Sequence, residues 1–302
     1  MTGAALSCFS LLPSADYSPL LPHSTMFRMR LVVTLLVFSL LTVACSKNPY
    51  TGRLQLDVIP DSQEQKMGVQ AYDQLMHDPK VQISHDPAEV EAVQRVAQRI
   101  IAAAKSSKYS KIANEFQWEV TVIKDNKTMN AFALPGGKIA VYTGIFPVAK
   151  TEAGLAAVLG HEVTHALARH GAERMSQGVL AQAAVVGATF GAASQGINPQ
   201  LAQLAGGALA NYGFVLPYSR KHESEADHIG IILMADAGYD PHEAVHLWER
   251  MEQSSKGQPP EFLSTHPSHG KRIEQIEQWM PEAMSHYHPN PAPANVDLPA
   301  LH

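Results

Sequence analysis

The chain has 302 residues, enough for one large catalytic domain or two small ones with ample core. A hydrophobic fraction of 45% with 17% charged residues excludes wholesale disorder, and two cysteines, Cys8 and Cys45, exclude a disulfide framework or a Cys-based zinc finger. The net charge is −5 with no dense basic run, which argues against nucleic acid as a partner, whereas histidine, at fifteen, is unusually frequent.

Near the start, Arg28 and Arg30 precede an uncharged run, Leu31 to Val43, of 13 residues. A membrane-spanning helix needs about 20, so the run reads as a signal peptide over 29–44, with 1–28 as an upstream extension and the basic lead. Leu41-Thr42-Val43-Ala44-Cys45-Ser46 resembles the bacterial lipoprotein box. That resemblance implies lipidation of Cys45 and, since Ser46 is not Asp, a periplasmic protein anchored to the outer membrane. Residues 45–60, with Asn48-Pro49-Tyr50-Thr51-Gly52, read as the lipidated cysteine and a linker.

A single folded domain is expected over 61–282. Helical patterns begin near Asp61 and again at Pro87, where Asp86 and Pro87 are start signals and Val90, Val93, Val96 and Ile100 form the apolar stripe. Phe116 to Ile123 alternates as a strand, and Asn130 to Thr143 reads as two strands around Pro135-Gly136-Gly137. Helices follow from about Thr151 to about Met280, giving an α+β, mainly helical fold. Between Arg174 and Arg220 no charged residue occurs, which suggests two close-packed helices or a flap over a site. The Pro-rich segment 283–302 reads as a flexible tail.

His161-Glu162-Val163-Thr164-His165 falls within the pattern that starts near Glu152. Four residues turn a helix by about 400°, so both imidazoles leave one face, one turn apart, and can meet one zinc ion. Glu162 lies about 100° aside and is placed to act as a general base. Catalytic zinc takes three protein ligands and keeps a fourth position open. A metzincin-type third histidine would need Gly at 168 and His at 171, but the chain has Ala168 and Gly171. His170, about 140° off the ligand face, reads as a polar surface residue.

The remaining candidates lie in Glu223-Ser224-Glu225-Ala226-Asp227. Glu223 and Asp227 share a helix face, so one can ligate zinc while the other accepts a hydrogen bond from a ligand histidine. Glu225, about 200° away from Glu223, is expected to lie outside that constellation.

Together with His161–His165, the segments Ser219-Arg220-x-x-Glu223-x-Glu225-Ala226-Asp227, Asn130-Ala131-Phe132-Ala133-Leu134-Pro135-Gly136-Gly137 and Ser264-Thr265-His266-Pro267 resemble zinc metallopeptidases of the CAAX prenyl protease, HtpX, BepA and OMA type. The Asn48–Gly52 segment after a lipidated cysteine is similar to the periplasmic lipoprotein members. The resemblance covers about 47–280 and implies a gluzincin-like fold with one zinc per chain. It implies that Glu223 is the third ligand, that Asp227 orients a ligand histidine, and that Asn130, Ala131 and Phe132 begin an edge strand carrying extended substrate. It also implies a catalytic role for His266 and Arg272: His266 either donates to the oxyanion or closes the fourth zinc position. The expected activity is hydrolysis of internal peptide bonds in unfolded or misassembled envelope proteins, a quality-control task. The alternative is a chaperone-like assembly factor for outer-membrane proteins that cuts little.

Overall fold

A computed structural model describes residues 45–193, 218–254, 261–267, 270–289 and 296–301. The expected signal peptide and upstream extension, and residues 194–217 of the uncharged stretch, lie outside the described residues. The described part belongs to one unit, Cys45–His302.

The described part is mainly helical with two small sheets. Strands β1 (Cys45–Lys47) and β2 (Leu54–Leu56) pair antiparallel with Cys45 opposite Leu56. Helix α1 (Asp61–Met76) is followed by α2 (Pro87–Ser106), where the Asp86 side chain accepts from Ala88 N at 2.9 Å and satisfies a first-turn N–H. Of the expected stripe, Val93, Val96 and Ile100 are buried and Val90 is half-buried against the core. A short helix α3 (Ser110–Glu115) consumes the residues before β3 (Glu119–Ile123), so that strand starts three residues later than Phe116. Strands β4 (Ala131–Leu134) and β5 (Lys138–Tyr142) complete a sheet of order β3-β5-β4, with β3 parallel and β4 antiparallel to the central strand. Gly136 and Gly137, at φ +86° and +87°, make the turn between them, which only residues without a Cβ enter freely.

After α4 (Phe146–Ala149) comes the central element, α5 (Glu152–Leu167), with Thr151 capping Gly154 N. Every residue of α5 is buried. It lies among α2, β4, α7 (Arg220–Asp236) and α8 (His242–Ser254). Helix α6 (His170–Ala193) leaves its end; α9 (Glu261–Thr265) and α10 (Arg272–His286) close the domain, α10 continuing past Met280 and Pro281. Among the described residues no helix is long and apolar enough to cross a membrane.

The α5–α7 crossing sets the site. A Cβ on Gly160 would lie 2.6 Å from the Gly230 carbonyl oxygen, and one on Gly230 would lie 2.9 Å from His161 N. Two glycines thus let the backbones touch where α5 presents His161. Asp227 and Glu223 stand about one and two turns before Gly230 on the same face of α7.

Two expectations need correction. Residues 45–60 are not a plain linker: Asn48 Oδ1 accepts from Tyr50 N and Thr51 N (2.9 and 3.2 Å), an Asx turn that folds the segment into the β1–β2 hairpin. The end of 283–302 is not free either. Val296 O accepts from Glu152 N and Leu298 N donates to Lys150 O, both at 2.8 Å, and Leu298 is buried. A first-turn N–H of α5 needs a partner, and the tail supplies it.

Candidate metal centre

Helical spacing puts both imidazoles of α5 on the face toward α7. His161 Nε2 and His165 Nε2 are 3.1 Å apart, and the Glu223 carboxylate lies 3.5 Å from the first and 3.4 Å from the second. His266, after α9, brings Nδ1 to 3.2 Å from His161 Nε2 and 3.0 Å from Glu223 Oε1. Ligands about 2.1 Å from zinc in a tetrahedron stand roughly 3.4 Å from one another, so these separations fit one small cation. The four ligand atoms lie within 4.8 Å of one another and all four residues are buried.

The surrounding groups prepare the donors. His161 Nδ1 donates to Asp227 Oδ1 at 2.9 Å, which leaves Nε2 with its lone pair toward the centre. Arg272 NH2 donates to Asp227 Oδ1 at 2.6 Å and lies 3.3 Å from Glu223 Oε2, its guanidinium 3.3 Å over the Trp248 ring. Burial would raise the Glu223 carboxyl, but His266, His161 and His165 outweigh it and hold it well below the usual carboxylate range. Burial drives the His165 imidazole well below its usual value, so it stays neutral and free to ligate. Burial pushes the Glu162 carboxyl up to about 7, close to what a base working near neutrality needs. Glu162 Oε1 lies 3.4 Å from His266 Nε2. Against burial, the charges of His266 and Arg272 and the Ala133 backbone of β4 act in the lowering direction.

The donor set, an HExxH helix crossed by a carboxylate-bearing helix, coincides with a family match over residues 87–280, described as peptidase family M48. The chain belongs to peptidase family M48. These are metallopeptidases that use zinc, and the cluster on α5 and α7 has the ligands for it. Among relatives, the mitochondrial metalloendopeptidase OMA1 of Schizosaccharomyces pombe is 41% identical over 78% of this chain and 66% of its own length. The human mitochondrial OMA1 is 34% identical over 78% and 46%. A beta-barrel assembly-enhancing protease of Yersinia pestis is 27% identical over 80% and 52%. The chain thus spans less than two thirds of the length of these curated relatives.

In this M48 chain, the structure gathers His161, Glu162, His165, Glu223, Asp227, His266 and Arg272 in one buried cluster. Asn130 lies just before β4 and Ala131 and Phe132 within it, at the edge of the sheet. Arg272, expected among the catalytic groups, bears on the two carboxylates of α7 instead. His170 is not a surface residue: it is fully buried, with Nδ1 3.0 Å from His165 Nδ1 and Nε2 3.0 Å from Glu225 Oε2. Its angle on an ideal helix misled because α5 ends at Leu167. Arg169 then takes φ +58°, and His170 opens α6 in a new direction. Glu225 likewise joins the site at one remove, through His170. The Gly160–Gly230 contact, also unforeseen, had a signal in the glycines placed one residue before His161 and three after Asp227.

Proposed function

We propose that the protein is a zinc metalloendopeptidase that hydrolyses internal peptide bonds of unfolded or misassembled envelope proteins, tethered to the outer membrane through a lipid on Cys45. One juxtaposition carries the catalytic reading: Glu162 reaches the zinc-ligand cluster, its Oε1 3.4 Å from His266 Nε2, while its helix α5 packs against β4, an edge strand of the sheet. A peptide added to that edge would pass beside the base, bound by backbone hydrogen bonds that read side chains loosely. Loose reading suits misfolded substrates. The cell-envelope part rests on the lipoprotein-box resemblance at Cys45 and on similarity to a bacterial beta-barrel assembly-enhancing protease.

His161, His165 and Glu223 would hold the zinc. When bound there it supplies a Lewis acid that polarises the scissile carbonyl and acidifies water. Asp227 fixes the His161 tautomer, and Arg272 fixes Asp227. Glu162 accepts the proton of the attacking water and passes it to the departing amine, a role worth about 10²–10⁴ in rate. His266 Nδ1 sits among the ligand atoms, so His266 would serve as a fourth ligand in the absence of substrate. The test is zinc content and casein hydrolysis of the full chain beside Glu162→Gln. Hydrolysis by the wild type and none by a zinc-loaded Glu162→Gln supports the reading. If both bind unfolded envelope proteins, neither cuts, and cells carrying the variant behave as wild type, the assembly-factor alternative stands.

A further inference from the structure

We infer that Arg53, in the N-terminal hairpin, is a positioning residue for the His165 imidazole, acting through Glu225 and His170. The inference rests on the reading of His165 as a zinc ligand.

The two histidines of the HExxH motif are held differently. His161 meets a carboxylate directly. His165 meets another imidazole, His170, a ring that can itself rotate. The protons can be assigned along the whole chain of contacts: His165 Nδ1–H donates to His170 Nδ1, and His170 Nε2–H donates to Glu225 Oε2, leaving His165 Nε2 free for the metal. That assignment holds only while the Glu225 carboxylate is held in place as the acceptor. Arg53 does the fixing, with Nε 2.9 Å and NH2 2.6 Å from Glu225 Oε2, and the Thr51 hydroxyl donates to Oε1.

Arg53 also grips a second buried carboxylate. Its NH1 and NH2 donate to the two oxygens of Glu173, each at 2.8 Å. Glu173 in turn holds His222 Nε2 at 3.0 Å, and the His222 ring stacks on His170 at 4.5 Å with an interplanar angle of 18°. One guanidinium therefore separates two acidic groups that would otherwise repel, and each of those groups steadies one of two stacked imidazoles. Arg53 suits this because its planar fork makes several charge-assisted bonds in fixed directions.

The hairpin region contributes a further set of ion pairs that serves as a control. Arg169, just past the end of α5, pairs with Asp57, Asp61 and Glu64 and donates to Ile59 O at 2.6 Å. Asp57 ties the same hairpin region to Arg169, in the joint between α5 and α6, and makes no hydrogen bond or ion pair with Glu225, His170 or His165.

The experiment is a zinc-affinity measurement by chelator competition on the full chain, with thermal melting alongside, for wild type, Arg53→Ala, Glu225→Gln, their double variant and Asp57→Ala. Loss of an outer contact to a ligand histidine typically weakens metal binding about 10–100-fold, and that loss is expected for Arg53→Ala and Glu225→Gln. The double variant should be no weaker than the weaker single. Asp57→Ala should lower Tm and leave zinc affinity within about twofold. Arg53 opens onto a solvent-connected cavity of about 630 Å³, so millimolar guanidinium should restore part of the affinity of Arg53→Ala but none to Glu225→Gln. Unchanged zinc affinity in Arg53→Ala, or an equal loss in Asp57→Ala, overturns the inference. Should Arg53→Ala not fold, Arg53→Lys, which keeps the charge and loses the fork, carries the test on the same criterion. A wild-type chain that binds no zinc defeats the proposed function and this inference together, whereas equal binding by wild type and variants defeats this inference alone.

Discussion

Replacing Gly160 by alanine adds one methyl group where α5 and α7 touch backbone to backbone. That carbon would sit 2.6 Å from the Gly230 carbonyl oxygen, where ordinary contact begins at 3.4 Å. Backbone against backbone leaves no rotamer to yield, so α5 and α7 must part by about 0.8 Å. The separations of His161 and His165 from Glu223, now 3.5 and 3.4 Å, would then approach about 4.2 Å, which is twice a zinc–ligand bond and reachable only by ligands on opposite sides of the ion. Overpacking of this kind costs about 1–3 kcal/mol, or roughly 2–12 °C in Tm for a domain of this size. Zinc affinity should fall at least about 10-fold, as when a ligand's support is removed. Gly178→Ala is the control, since nothing lies within 4 Å of a Cβ there and the exchange relieves a helical glycine. Chelator competition and thermal melting of both variants test the argument. A Gly160→Ala protein with wild-type zinc affinity and wild-type Tm refutes it.

Other consequences follow from the same geometry. Glu162→Gln should retain stoichiometric zinc and lose about 10²–10⁴ in hydrolysis rate, measured on casein. His266→Ala should raise basal hydrolysis, because the resting fourth ligand is removed; a fall would instead assign His266 to oxyanion stabilisation. Burial would raise the Glu173 carboxyl, but hydrogen bonds from His222 and Arg53 hold it far below its usual 4.5. Its contribution to stability is therefore present above pH 4.5 and lost as pH falls below it. The Tm gap between wild type and Glu173→Gln should be wide at pH 7 and close on acidification, and a gap constant from pH 7 to pH 3 would contradict this.

The parts of the site that depend on one helix were legible in the sequence. His161, His165 and Glu162 follow from the 3.6-residue period, as do Glu223 and Asp227 sharing a face of α7. The Pro135-Gly136-Gly137 turn marks its hairpin through backbone angles that other residues avoid. What could not be read were features that arise when elements meet or change direction. His170 was misplaced because a rotation angle presumes a continuous helix, and Arg169 breaks it with a left-handed turn. Glu225 points away from the metal yet matters because His170 comes to meet it. Arg53 sits in a segment whose turn chemistry, an Asn48 Asx turn, resembled a flexible linker in composition. The tail pairs with the start of α5 through backbone hydrogen bonds, and Leu298 and Leu301 pack on the core, too sparse an apolar pattern to read from the sequence.

The central claim is that α5 and α7 together grip one zinc ion. X-ray absorption at the zinc edge of the purified full chain, with total metal quantified, tests it most directly. One zinc per chain bound by histidine nitrogens and a carboxylate oxygen at about 2.0–2.2 Å, with the oxygen contribution altered in Glu223→Gln, is the expected result. Zinc well below one per chain, or a coordination sphere unchanged in Glu223→Gln, would contradict it.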